Sequence, residues 1–265
     1  MILDEIVAHT RAEIAKHKRR TSEHDLRVKM ASQPSVISLE KALRGDGVSL
    51  IAEIKRSSPS KGAFAPNLDA GDVASIYVQH GAAAISVLTD EQYFSGNLCD
   101  LEVAKRTVSA SGHPVPILRK DFIVDPYQVL EARSSGADAV LLIVRILSDD
   151  ELSALYEAVV GMGMTALVEV HDAADVERIK HLAPAVVGIN HRNLSDFSTD
   201  LSVFARLREA LPSETVVVAA SGIRTAADVA AVGTQGADAV LVGEALVTAT
   251  NIGAKVRELS GRTAT

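Results

Sequence analysis

One eight-residue phrase occurs twice in the chain. Ser135-Gly136-Ala137-Asp138-Ala139-Val140-Leu141-Leu142 returns as Gln235-Gly236-Ala237-Asp238-Ala239-Val240-Leu241-Val242, and His80-Gly81-Ala82-Ala83-Ala84-Ile85-Ser86-Val87 is a looser copy. Each reads as the last turn of a helix, a glycine that stops it in the C′ position, and then an apolar strand. A chain that repeats a helix-to-strand junction is assembling βα units. That constrains its fold more tightly than any composition could.

Strand candidates recur on both sides of these junctions: Val48–Lys55, Ala83–Thr89, Pro116–Lys120, Ala139–Val144, Thr165–Val170, Val186–Asn190, Thr215–Ala220 and Ala239–Val242. Helical patterns separate them, at Leu68–His80, Pro126–Ser135, Asp149–Met162, Ala173–Leu182 and Thr225–Thr234, several opened by cap-like residues such as Asp125-Pro126, Ser148 and Thr225. Strict alternation predicts a parallel sheet, and eight units in about 220 residues is the length of a closed barrel. The expected fold is therefore α/β, a single (β/α)8 TIM barrel over residues 45–265 behind an N-terminal helical extension, residues 1–44, that caps the barrel. An open doubly wound sheet would want a glycine fingerprint after its first strand, where this chain has Lys55-Arg56-Ser57-Ser58-Pro59. The GxGxxA match at Gly161–Ala166 leads from a helix into a strand, the reverse of the required order, and reads as a helix stop.

Composition narrows the class. Only 3% of the 265 residues are aromatic and none is Trp, so the core is left to Ala, Val, Leu and Ile, as suits helices packed on a parallel sheet. The net charge of −7 and the lack of a long basic tract argue against nucleic acid as a partner. No apolar run approaches the roughly 20 residues that span a bilayer. The sole cysteine, Cys99, excludes an internal disulfide, and acids interrupt the start of the chain too early for a signal peptide, so a cytoplasmic location is expected.

In barrels of this kind the reacting groups stand at the C-terminal ends of the strands. Those ends carry Glu53 and Lys55, Thr89-Asp90-Glu91, Lys120-Asp121, Arg145, Glu169, Asn190 with Arg192, Ser221-Gly222 and Gly243-Glu244. Glu53 and Lys55 are two apart and so share one face of an apolar strand, where charges are costly unless paired or used. Lys120 suits a general acid or a Schiff-base lysine, and Glu169 is an acid embedded in an apolar strand, suited to proton transfer. Ser221-Gly222 and Gly243-Glu244 close the seventh and eighth strands, where loop amides often hold phosphate. The histidines lack the spacing of a zinc site; no metal is expected.

These segments resemble the indole-3-glycerol phosphate synthase family of tryptophan biosynthesis. The resemblance is carried by Ile51–Ser60, Leu88–Phe94, Leu118–Ile123, Leu167–His171, Gly188–Leu194, Ala220–Ile223 and Leu241–Glu244. It implies ring closure of 1-(2-carboxyphenylamino)-1-deoxyribulose 5-phosphate, with loss of CO2 and water, by an enzyme without a cofactor. It implies Lys120 as the general acid, Lys55 held by Glu53 against the anionic substrate, Glu169 as acid/base for the dehydration, and Asn190 orienting the substrate. By the same resemblance Ser58, Arg192 and Ser221 line the site, and Phe94, Phe122, Leu141 and Leu194 form a slot for the aromatic ring. Gly222, Gly243 and the Glu244 amide would hold the phosphate. The partner is then a phosphorylated, anthranilate-derived small molecule rather than nucleic acid or membrane, and the chain is expected as a monomer, open to weak association with other enzymes of its pathway.

Two positions depart from the family pattern. Ala220 stands where an acid is usual, and Glu244 where a small residue is commoner. Ala220 keeps a catalytically weakened paralogue in view, and the strand-end lysines keep another phosphate-binding barrel enzyme, such as an isomerase or aldolase, in view.

Overall fold

The computed structural model describes residues 2–59, 61–191 and 202–261. Three leader helices come first: α1 (Ile2–Arg20), α2 (Glu23–Ala31) and α3 (Leu39–Leu43). Eight parallel strands follow: β1 (Ser49–Ile54), β2 (Ala84–Leu88), β3 (Ile117–Lys120), β4 (Ala139–Ile143), β5 (Thr165–Val170), β6 (Val186–Asn190), β7 (Val216–Ala220) and β8 (Ala239–Val242). Each pairs with its chain neighbour, and β1 pairs with β8 from Ser49↔Ala239 to Ala52↔Val242, which closes the barrel.

The helices between strands are α4 (Ala70–Gln79), α5 (Glu91–Phe94), α6 (Leu98–Ala110), α7 (Pro126–Ser134), α8 (Asp149–Gly161), α9 (Ala173–Ile179), α10 (Ser202–Glu209) and α11 (Ala226–Thr234), with α12 (Glu244–Val247) and α13 (Ile252–Ser260) after β8. Their starts follow the cap chemistry. Asp125 caps α7 ahead of Pro126, and Ser148 with Glu151 and Thr225 with Asp228 form capping boxes at α8 and α11. The Gly161–Ala166 stretch is a helix stop, with Gly163 at φ +74° between α8 and β5.

The repeated phrase has a specific task. Gly81, Gly136 and Gly236 all hold φ between +91° and +100°, a conformation glycine adopts without steric cost, and each ends a helix. In the two close copies the aspartate two residues on then ties its own junction to the preceding strand. Asp138 accepts from the Ile117 backbone N–H at 2.8 Å, and Asp238 accepts from the Val217 backbone N–H at 2.8 Å. Asp138 does more. It is fully buried, takes two bonds from Lys105 at 2.7 and 2.8 Å, and accepts from the Ile37 backbone, pinning the leader to the barrel wall.

Two apolar layers result, one between strands and helices and one filling the barrel. Leu39 and Leu43 of α3 belong to the second layer. They pack with Ala84, Ala139, Val216 and Ala239 at the strand starts and so plug the N-terminal mouth. The leader therefore meets the barrel at both ends, because Leu3 and Ile6 of α1 lie at the opposite mouth.

Candidate active site

A cavity of about 790 Å³ opens at the C-terminal ends of the strands. Glu53, Lys55, Lys120, Glu169 and Asn190 all line it, from β1, β3, β5 and β6. Period-two alternation explains this convergence, since each residue occupies an inward position within one residue of its strand's C-terminal end. Glu53 is buried and pairs with Lys55 Nζ at 3.1 Å. Lys55 Nζ also stands 6.0 Å from the centre of the Phe64 ring. Lys120 differs. Among the described residues no carboxylate lies within ion-pair distance of its ammonium, so its protons are available to a ligand in the cavity.

On the far side a hydrogen-bonded line crosses three strands. Ser221 Oγ donates to Asn190 Oδ1 at 2.8 Å, and Asn190 Nδ2 donates to Glu169 Oε1 at 3.1 Å. Ser221 reaches Asn190 from a left-handed backbone, φ +73°, followed by Gly222 at φ +77°. For a serine that conformation costs free energy; here it turns the chain sharply at the cavity wall, which Ser221 and Gly222 both line.

Gly243 answers a steric demand. A Cβ at this position would meet Glu53 Oε1 at 2.3 Å, so the missing side chain is what leaves the buried carboxylate its place beside Lys55. Gly243→Ala is expected to lower kcat/KM about 100-fold by displacing the pair, while thermal melting moves little because the clash falls on a side-chain end. Comparing melting curves with steady-state rates checks this; wild-type kinetics would refute it.

Glu244 is engaged elsewhere. Its carboxylate pairs with Lys61, which sits in the turn between the two-residue strands Ser57–Ser58 and Gly62–Ala63. Burial works to raise the Glu244 carboxyl, but the Lys61 hydrogen bond, helped by the charges of Lys61, Lys55 and Arg224, holds it below its usual range. Ser58 lines the cavity from the same hairpin, whose base is anchored by Arg56 to Asp100 and to the Leu68 carbonyl.

Phe94 and Phe122 supply an apolar wall, their ring centres 6.1 Å apart. Leu141 does not line the cavity. It faces the barrel interior one layer deeper, and Ile143, two residues further along the same face of β4, takes the place expected for it. Arg192 and Leu194 lie outside the described residues, as does Ser60. Several strand-end groups serve the frame instead. Thr89 and Arg119 bond Asp121, Asp90 caps α5, and Arg145 pairs with Asp172 and Asp175. Strand ends could not reveal Leu3 and Ile6, which reach the cavity from α1, or Arg224 and Lys255, which widen it beyond β7 and β8. Among the described residues no cluster of histidine, cysteine or acidic side chains is placed to hold a metal ion.

A closed (β/α)8 barrel with two lysines and two glutamates around one cavity at its C-terminal mouth is the architecture of a barrel enzyme. Sequence comparison makes the family plain: the profile of indole-3-glycerol phosphate synthase matches residues 3–259, and the chain belongs to that family. It is 45% identical to the indole-3-glycerol phosphate synthase of Roseiflexus castenholzii over 98% of both chains. It is 46% identical to indole-3-glycerol phosphate synthase 1 of Streptomyces coelicolor, over 93% of this chain and 90% of that one. A solved structure, the 3-hexulose-6-phosphate synthase of Salmonella typhimurium, superposes with a TM-score of 0.61 at 13% identity, covering 81% of this chain and 97% of that one, which speaks to the fold alone.

Proposed function

We propose that this chain closes the indole ring, converting 1-(2-carboxyphenylamino)-1-deoxyribulose 5-phosphate to indole-3-glycerol phosphate, CO2 and water. The observation that carries the reading is the convergence on one cavity of a lysine with no carboxylate partner among the described residues, a lysine–glutamate pair and a hydrogen-bonded glutamate, with a phenylalanine wall. Phe94, Phe122 and Ile143 take the aromatic ring. The amides of Gly222, Gly243 and Glu244 take the phosphate. The Glu244 side chain does not oppose that anion, because Lys61 neutralises it.

Lys120 then protonates the ketone oxygen as the ring carbon attacks, so that no alkoxide has to form unassisted. Lys55, steadied by Glu53, offsets the substrate's carboxylate. Loss of CO2 restores aromaticity, and Glu169 exchanges the proton that lets water leave. Pairing of Lys55 does not depend on position 220, since its carboxylate comes from its own strand; Ala220 merely adds a methyl to the wall.

Leu3 and Ile6 at the cavity support reading residues 1–44 as a cap. Among the described residues no helix is long and apolar enough to cross a membrane, and the free Cys99 is exposed, in keeping with a reducing cytoplasm. The test is direct: purified protein and the ribulose phosphate substrate should yield indole fluorescence and one CO2 per product. Tight binding without turnover would favour the weakened paralogue instead.

A further inference from the structure

His171 follows β5 by one residue and stands two residues from Glu169, on the same side of the chain. Its side chain is almost wholly buried and lies between two carboxylates. Nε2 is 3.3 Å from Glu169 Oε1, and Nδ1 is 3.8 Å from Asp175 Oδ2 at the start of α9. Neither contact is a hydrogen bond, which leaves both ring nitrogens buried without a hydrogen-bond partner among the described residues. Buried polar groups in this condition are rare and call for an explanation.

Asp175 is itself firmly held. It accepts the His171 backbone N–H at 2.9 Å and Arg145 Nε at 3.2 Å. Burial works to raise its carboxyl, but the His171 ring and backbone N–H, with the Arg145 charge, keep it below its ordinary range. The charged and titratable groups facing the ring are therefore Glu169 from β5 and Asp175 from α9, with Arg145 behind Asp175.

We propose that His171 is a positioning residue for Glu169. The proposal rests on the assignment of Glu169 as the acid/base of the dehydration. A carboxylate only accepts, so a proton carried on Nε2 points at Glu169. Asp175 stands behind the ring, and Nε2 faces Glu169 Oε1 at 3.3 Å, the same oxygen that receives Asn190 Nδ2 at 3.1 Å. With Oε1 turned toward Asn190 and His171, Oε2 is the oxygen presented to the substrate. The arrangement runs Arg145–Asp175–His171–Glu169–Asn190–Ser221, and only Glu169 performs chemistry. Strand alternation was the sequence signal for this histidine, since Leu167-Val168-Glu169-Val170-His171 puts positions 167, 169 and 171 on one face.

Two substitutions separate positioning from packing. His171→Gln places an amide donor near the Nε2 position and keeps the contact to Glu169. His171→Asn places one near Nδ1 and keeps only the contact to Asp175. Kinetics on the ribulose phosphate substrate should find kcat of His171→Gln within about threefold of wild type and kcat of His171→Asn lower by about 10- to 100-fold. KM should stay within about twofold in both, and melting temperatures should match. Equal kcat for the two variants, with Glu169→Gln strongly impaired, would overturn the positioning role and leave the Glu169 assignment standing. Full activity of Glu169→Gln would overturn that assignment, and the role of His171 with it.

Discussion

Lys120→Met is expected to lower kcat by about three orders of magnitude, some 4 kcal/mol of transition-state stabilisation. The side chain ends β3 facing the cavity, and among the described residues it has no carboxylate partner to give up before it acts. Methionine keeps the length and apolar stem while removing both the proton and the charge. KM should rise only a few-fold, because Lys55 still faces the anionic substrate from β1. Lys120→Arg restores charge but holds its proton too tightly to surrender it, so it should recover binding without recovering the rate. Initial rates of indole formation measure both variants. Near wild-type turnover in Lys120→Met would remove this lysine from the mechanism.

The second large effect lies far from the cavity. Asp138→Ala should cost about 4 kcal/mol of folding stability, because it strands the Lys105 ammonium in the interior and orphans two backbone N–H groups. The matching change in the second copy of the repeat, Asp238→Ala, should cost only about 1 kcal/mol. Asp238 is half-exposed, and its side chain accepts from Val217 alone among the described residues. Urea unfolding of both variants tests the contrast, and equal losses would mean that Lys105 contributes nothing.

The barrel was legible because its two signals are local. Apolar β-branched runs and glycine stops mark strands and junctions wherever they occur, and the eight strand expectations fall within about two residues of those observed. Helix α6 escaped because its pattern is diluted by charged residues, one of which, Lys105, is buried against an aspartate 33 positions away. No local rule sees that partner. The strand-end rule led to Glu53, Lys55, Lys120, Glu169, Asn190 and Ser221, which do line one cavity. The same rule also swept in Asp121 and Arg145, since a framework ion pair and a site residue look alike until their partners are known. Leu141 shows the limit of face without depth, because alternation fixes which way a side chain points and not how far along the barrel it sits. Leu3 and Ile6 depend on where a leader docks, which is a tertiary fact.

The plug formed by Leu39 and Leu43 has a consequence for how the chain is made. These residues leave the ribosome well before Val216 and Ala239, which form part of the surface that receives them. Until β8 pairs with β1, the leader carries two large apolar side chains with nowhere to go. The newborn chain must therefore keep these two side chains from sticking to each other or to neighbours while the eight strands are laid down. Barrel closure and leader docking should then arrive together as one late, slow step.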